Sequence, residues 1–306
     1  FGSRDSHGNF SMDALLESIS ETPVKAIEVK LSQGAKPGIG GVLPAKKVTS
    51  EIAETRGIPK GVMVQSPSKH TSFDDVDGLI DFIELIAGET GLPVGIKAAV
   101  GQINFWVDLA DQMQATHRGP DFIAIDGGEG GTGAAPLVFS DTVAYPFRIG
   151  FAKVFDIFYS RGLHSEITFI GSGKLGYPDT ALAAFALGCD MVNVGREAMM
   201  AIGCIQAQRC HTGHCPTGVA TQSAWLSRGL NPSDKSVRVM NYIYALQDEI
   251  LRLCHSVGVT HPVLIPESVV EIVNQDGAAV SILNYYGLLS IDQRLQESDF
   301  HYLESI

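Results

Sequence analysis

Residues 122–133 read Phe122-Ile123-Ala124-Ile125-Asp126-Gly127-Gly128-Glu129-Gly130-Gly131-Thr132-Gly133. An apolar run of strand length ends there on an acid and opens into five glycines in eight residues. A continuously apolar strand suits a parallel sheet covered by helices, where alternation of polar and apolar residues is not required. The glycines let another group lie close against the backbone, so Gly127 and Gly128 are candidate contacts for a flat cofactor or its substrate. A plain flexible turn is the alternative.

The same pattern extends to both sides. Apolar runs of strand length recur at Val24–Leu31, Val62–Ser66, Val94–Val100, Ile167–Ile170 and Met191–Val194. Helical periodicity fills the gaps: Phe73–Ala87, with Ser72 as cap and Asp75 three residues on, then Ile103–His117, Val143–Ser160 and Pro178–Leu187. Strands alternating with helices predict an α/β fold built on a parallel sheet, as a closed barrel or a doubly wound sheet.

Two features favour a (β/α)8 TIM barrel. Glycine-rich and polar residues follow the strand ends, and the last two such loops, Gly171-Ser172-Gly173-Lys174 and Gly195-Arg196, look like a phosphate site. Backbone N–H groups can approach phosphate oxygens there, aided by the positive end of a helix beginning near Pro178 or Glu197. Six runs read as strands where eight are needed, and the chain opens on Phe1, so the barrel is expected to be incomplete at its amino terminus. The barrel is assigned to residues 1–225. Residues 226–306 are read as a helical carboxyl-terminal extension led by one long helix, Pro232–Ser256.

Composition excludes several classes. The chain has 306 residues, 45% hydrophobic and 18% charged, which is too apolar for a disordered tail. Its 33 glycines follow no period, so collagen is out, and a net charge of −12 argues against a nucleic-acid partner. No apolar run reaches the ~20 residues of a membrane-spanning helix, and no signal peptide opens the chain, so a cytoplasmic protein with no membrane partner is expected.

Cys204, Cys210 and Cys215 stand in C-x5-C-x4-C spacing. Three thiolates from one loop can ligate a cluster with three irons. A zinc site completed by His211 or His214 and a set of buried free thiols also remain open. Cys189 and Cys254 sit in apolar helical contexts and read as core.

The loop Lys30–Gly41 follows a strand directly and offers Gln33 and Lys36 to a carboxylate, with Arg56 as a bidentate clamp if the chain folds back; a solvated surface loop is the alternative. Lys97 lies inside the apolar run Val94-Gly95-Ile96-Lys97-Ala98. Burying an unpaired ammonium costs several kcal/mol, which favours a ligand-facing role.

From Val24 to Gln222 the chain resembles, in order, the flavin-binding synthase domain of glutamate synthases, especially stand-alone forms without the glutaminase domain. Gln33–Gly38 with Gly40-Gly41, the stretch Asp126–Pro136, and Cys204–Gln222 carry the resemblance. It implies a TIM barrel holding FMN, and a 3Fe-4S cluster on Cys204, Cys210 and Cys215. The implied reaction reduces 2-iminoglutarate, formed from 2-oxoglutarate and ammonia, to L-glutamate. By the same resemblance Gln33, Lys36 and Arg56 bind the 2-oxoglutarate carboxylates and Lys97 lies at the flavin. Gly171, Ser172, Gly173, Lys174, Gly195 and Arg196 hold its phosphate. Lys36 and Lys97 are the residues expected to act catalytically. An external electron donor, either ferredoxin or an NAD(P)H-dependent reductase subunit, is implied, with a separate glutaminase subunit as a further partner. Two alternatives keep the cofactors: the large subunit of an N-methylglutamate synthase-like enzyme, and a non-catalytic electron-transfer subunit.

Overall fold

The computed structural model describes residues 3–5, 8–130, 133, 135–136 and 138–288. Its elements run α1 (Met12–Ser20), β1 (Ile27–Lys30), β2 (Val42–Leu43), α2 (Ser50–Arg56), β3 (Val64–Gln65), α3 (Val76–Thr90), β4 (Val94–Ala98), α4 (Asn104–Thr116) and β5 (Phe122–Asp126). They continue with α5 (Phe147–Tyr159), β6 (Thr168–Ser172), α6 (Pro178–Ala186), β7 (Met191–Asn193), α7 (Arg196–Ala201), α8 (Pro232–Ser256), β8 (Glu271–Val273), β9 (Ala279–Ser281) and α9 (Ile282–Tyr286).

Five strands form a parallel sheet in the order β1-β4-β5-β6-β7. Each new strand joins beside the previous member of the sheet, without the reversal of order that makes a doubly wound sheet and its switch point. This singly wound α/β course is that of a (β/α) barrel wall. One face of the sheet lies under helices: Val94, Ile96 and Ala98 of β4, Ile123 and Ile125 of β5 and Phe169 of β6 belong to the main apolar core. The opposite face carries a row in register, Lys30, Lys97, Ala124, Ile170 and Met191. Side chains alternate across a strand, so an apolar outer face leaves Lys97 on the inner one.

Aromatic rings of α5 fill the space above β6. Phe151 is fully buried, with Phe147 at 5.3 Å, Phe155 at 5.8 Å and Phe169 edge-on at 6.1 Å between ring centroids. Replacing Phe151 with Ala would leave a cavity among rigid rings and is expected to cost about 3–5 kcal/mol in urea unfolding. A loss below roughly 1 kcal/mol would show that these rings close over the gap.

Four expectations are corrected. The Val62–Ser66 run is not a member of the parallel sheet: only Val64–Gln65 are extended, paired antiparallel to Val42–Leu43, and Val62 and Met63 are exposed. Asp75, not Ser72, caps α3, because its Oδ1 accepts from the Gly78 N–H at 2.8 Å. Helix α5 begins at Phe147 and not near Val143, since Pro146 precedes it and disfavours helical backbone at Tyr145. The tail beyond α8 is not wholly helical, because β8 and β9 form a hairpin. Its turn is built by the Asn274 side chain, which accepts from the N–H groups of Asp276 and Ala278, and by Gly277 at φ +79°. Asp276-Gly277 was a hairpin signal in the sequence.

Residues 289–306 of the extension lie outside the described residues. The long helix α8 has the expected limits, and its Leu246, Ile250 and Cys254 join the same core as the sheet. Cys189 is buried there too. No helix among the described residues is long and apolar enough to cross a membrane.

Candidate functional site

The loop after β1 is tied to the strands beside it. Leu31 N–H donates to the Lys97 carbonyl at 2.9 Å, and Ser32 Oγ accepts from Ala99 N–H at 2.8 Å. Gly34 N–H donates to Asp126 Oδ2 at 2.8 Å, and Lys36 N–H turns back to the Gln33 carbonyl at 3.1 Å. Gly34 is required by its neighbours, since a Cβ there would stand 1.9 Å from the Gly127 carbonyl oxygen. Arg56 arrives from another direction, as the last residue of α2, whose end is set by Gly57 at φ +61°.

These segments enclose a cavity of about 630 Å³ whose walls include Gln33, Lys36 and Arg56 together. Arg4, Lys30 and Lys69 add positive charge, and Glu28 is the one acid among the described lining residues. A chain of net charge −12 therefore holds a local excess of cations, which suits an anionic guest. Burial, and then the nearby Lys30 charge, pulls the Lys36 pKa below the usual lysine range. Burial pushes the Glu28 carboxyl up against the opposing pull of Lys97 and Lys30. Lys30 donates to Gln33 Oε1 at 3.3 Å, which orients that amide. Lys97 does not line the cavity but stands on β4, paired in register with Lys30.

The glycine stretch after β5 packs tightly. Gly127 N–H donates to the Ser172 carbonyl and Gly128 N–H to the Tyr145 carbonyl, at 2.8 and 2.9 Å. A Cβ on Gly127 would meet the Phe147 nitrogen, and one on Gly128 the Ala144 oxygen, each at 2.6 Å. The segment entering α5 thus accounts for both glycines. Of the stretch Asp126–Pro136, residues 131, 132 and 134 lie outside the described residues.

The loops after β6 and β7 emerge side by side, with Ser172 paired in register to Asn193. Gly173 has φ +142° and Lys174 φ +54°, and Lys174 Nζ lies 3.8 Å from Asp141. Gly171 packs against the Phe147 ring, whereas the space where Gly195 lacks a side chain is open. Arg196 donates to the Glu129 carbonyl at 2.8 Å. The Ser172 hydroxyl donates to Asp126 Oδ1 at 2.9 Å.

The cysteine loop abuts this region, because a Cβ on Gly133 would stand 2.7 Å from Cys210 Sγ. Cys204 Sγ accepts from Gln206, through its backbone N–H at 3.4 Å and its side-chain amide at 3.3 Å. Lys47 donates to the carbonyls of Cys210 and Ala220, fastening the loop to the segment that leads into α2. Burial raises the Cys215 pKa, but hydrogen bonds from the Thr217 hydroxyl and from the backbone of Ala220, Thr217 and Val219 outweigh it and bring the thiol to about 7. Among the described residues no three His, Cys, Asp or Glu side chains are gathered as a metal site, and this holds for Cys204, Cys210 and Cys215 as it does for His211 and His214.

Sequence reasoning missed Asp126 as the joint between loops, and Lys47 and Ser32 as anchors. The signal for Asp126 was present, an acid closing an apolar strand before two glycines, but its partners lie 92 and 46 residues away.

Residues 16–260 match the conserved region in glutamate synthase. The chain belongs to the glutamate synthase family. It is 37% identical over 284 residues to the glutamate synthase large subunit-like protein YerD of Bacillus subtilis (strain 168), covering 93% of this chain and 54% of the relative. It is 38% identical over 234 residues to the archaeal glutamate synthase (NADPH) of Methanocaldococcus jannaschii, covering 76% of this chain and 46% of that one. The ferredoxin-dependent glutamate synthase of Cyanidium caldarium is 34% identical over 237 residues, which span 76% of this chain and 15% of that much longer protein. The chain spans about half the length of the first two of these relatives.

Proposed function

We propose that this chain is the substrate- and flavin-holding part of an oxidoreductase of glutamate synthase type, which reduces 2-iminoglutarate, formed from 2-oxoglutarate and ammonia, to L-glutamate. The observation that carries this reading is the meeting of Gln33, Lys36 and Arg56 in one cation-rich cavity. A five-carbon dicarboxylate needs two anion contacts to fix its orientation, and a lysine with an arginine fork supplies them. In this reading Lys36 and Arg56 take the carboxylates, the Gln33 amide donates to an oxygen, and the imine carbon is held in place for reduction. In this reading Lys97, on the inner face of the sheet and outside the cavity lining, supplies a positive charge toward the flavin that would stabilise negative charge during the transfer.

The residues present suit FMN. Gly171 and Ser172 end β6, Gly173 and Lys174 follow them, and Gly195 and Arg196 come just after β7 at the start of α7, so all six gather at the end of neighbouring strands where barrels place phosphate sites. Space is open where Gly195 lacks a side chain, which leaves its backbone approachable by a phosphate, and in this reading Gly127, Gly128 and Lys97 serve the flavin ring. When bound, FMN supplies the hydride equivalent that the imine accepts.

Cys204, Cys210 and Cys215 are free thiols with the donor chemistry of a 3Fe-4S cluster, one for each iron. Such a cluster would take electrons from an external donor, ferredoxin or an NAD(P)H-dependent reductase. Iron and sulfide analysis of protein purified without oxygen is expected to return about three irons per chain, with an EPR signal in the oxidised state. Zinc in place of iron would overturn the cluster assignment.

The reaction is tested by incubating the protein anaerobically with FMN, dithionite, 2-oxoglutarate and ammonium salt. L-glutamate is the expected product, at a rate well above that of N-methylglutamate when methylamine replaces ammonium. Flavin-loaded, iron-loaded protein that forms neither would remove the proposal. A pH effect follows from Lys36. It holds an anion only when protonated, and its pKa is lowered, so affinity for 2-oxoglutarate should fall with rising pH earlier than an ordinary lysine would dictate. Calorimetric titrations across the alkaline range check this, and the early fall should vanish in Lys36→Ala.

A further inference from the structure

Asp126 closes β5 where the sheet meets its loops and is only 5% exposed. A buried carboxylate is tolerated when its oxygens are hydrogen-bonded. Here Oδ2 accepts from the Gly34 N–H and Oδ1 from the Ser172 hydroxyl. Gly34 sits between Gln33 and Lys36, which both line the cavity, and Ser172 ends β6 among the residues proposed above to hold the FMN phosphate. One side chain thus fastens the substrate loop to the ends of two strands. The same loop rests directly on the peptide that follows Asp126, as the absence of room for a Cβ on Gly34 shows.

We propose that Asp126 is a positioning residue for the dicarboxylate, acting through the Gly34 amide to hold Gln33 and Lys36 in their binding positions before the ligand arrives. The proposal rests on the reading of the cavity as the 2-oxoglutarate site. Asp126 does not line the cavity; its work is to remove the ordering cost that a free loop would impose on binding. Without an acceptor the Gly34 N–H is left unsatisfied in a crowded place and the loop lifts away. Asparagine can stand in. Its carbonyl accepts from Gly34, and its NH2 donates to the Ser172 hydroxyl, which accepts as readily as it donates.

The test is hydrogen–deuterium exchange on the whole chain, read at peptides spanning residues 31–41, together with equilibrium dialysis of labelled 2-oxoglutarate. The wild-type Gly34 amide is expected to be protected. Asp126→Ala should speed its exchange roughly tenfold or more and weaken 2-oxoglutarate binding by about tenfold, while peptides of α3 and α4 keep their protection. Asp126→Asn should stay within about threefold of wild type in both. Unprotected Gly34 in the wild type overturns the proposal without any variant, which matters if the alanine variant fails to fold. An unchanged loop in Asp126→Ala overturns it as well, and so does an asparagine variant as damaged as the alanine one, which would point to charge and not hydrogen bonding. A wild-type chain that binds no 2-oxoglutarate overturns the ligand reading and the substrate half of this proposal, while the exchange data still decide whether Asp126 holds the loop.

Discussion

Lys36→Ala is expected to weaken 2-oxoglutarate binding by roughly 10- to 100-fold, the worth of a charge-assisted hydrogen bond of about 1.5–3 kcal/mol. The side chain lines the cavity and is partly withdrawn from solvent, which strengthens its hold on an anion compared with a surface lysine. Its effect should fall on affinity and leave the folded state intact, because the structure gives its ammonium no part in the core. Arg56→Ala should act in the same direction, and Arg56→Lys should recover only part of the loss, since a lysine lacks the planar fork. Dialysis or calorimetry with 2-oxoglutarate, and with succinate as a control for charge alone, gives the comparison. An alanine variant with wild-type affinity would mean that the dicarboxylate does not sit in this cavity.

Gly34→Ala carries the other large effect, on both binding and stability. The new Cβ would fall 1.9 Å from the Gly127 oxygen, 2.7 Å from the Gly127 carbonyl carbon and 2.9 Å from the Asp126 oxygen. All three are backbone atoms at the end of a central strand and cannot swing aside as a side chain would. Either the loop lifts, losing the Gly34–Asp126 hydrogen bond, or the end of β5 is displaced. Overpacking costs about 1–3 kcal/mol and a buried amide left without its acceptor a similar amount. A total of about 2–5 kcal/mol should appear as a lower urea midpoint, and 2-oxoglutarate affinity should fall with it. Gly195→Ala is the contrast. Open space surrounds that position, so stability should move by no more than about 0.5 kcal/mol while FMN affinity drops. If Gly34→Ala melts and binds like the wild type, the close docking of the loop on β5 is wrong.

The parallel sheet was largely legible because buried parallel strands are written as continuous apolar runs. Phe122–Asp126 and Pro232–Ser256 have the limits that pattern and capping residues predict. The Val62–Ser66 run misled for an identifiable reason. Three apolar residues, Val62, Met63 and Val64, between Gly61 and Pro67 resemble a short core strand, yet only Val64–Gln65 pair, with Val42–Leu43, and the side chains of Val62 and Met63 face solvent. Gln33, Lys36 and Arg56 could be named as anion ligands from residue type and from the family resemblance. Their convergence on one cavity could not be read from spacing, because Arg56 reaches it through the helix α2 and the turn at Gly57.

Periodicity, capping and turn chemistry act over a few residues, so the sequence alone determined the alternation of helices and strands from α3 to β7, the place of the glycine stretches at strand ends, and which side chains are chemically able to hold carboxylate, phosphate or iron. Which of those groups meet is a matter of contacts between distant parts of the chain. The Gly34 amide finds Asp126 across 92 residues and Lys47 finds the Cys210 carbonyl across 163. Only the packed sheet brings such pairs within hydrogen-bonding range, because hydrogen bonds and the exclusion of water depend on separation in space and not along the chain.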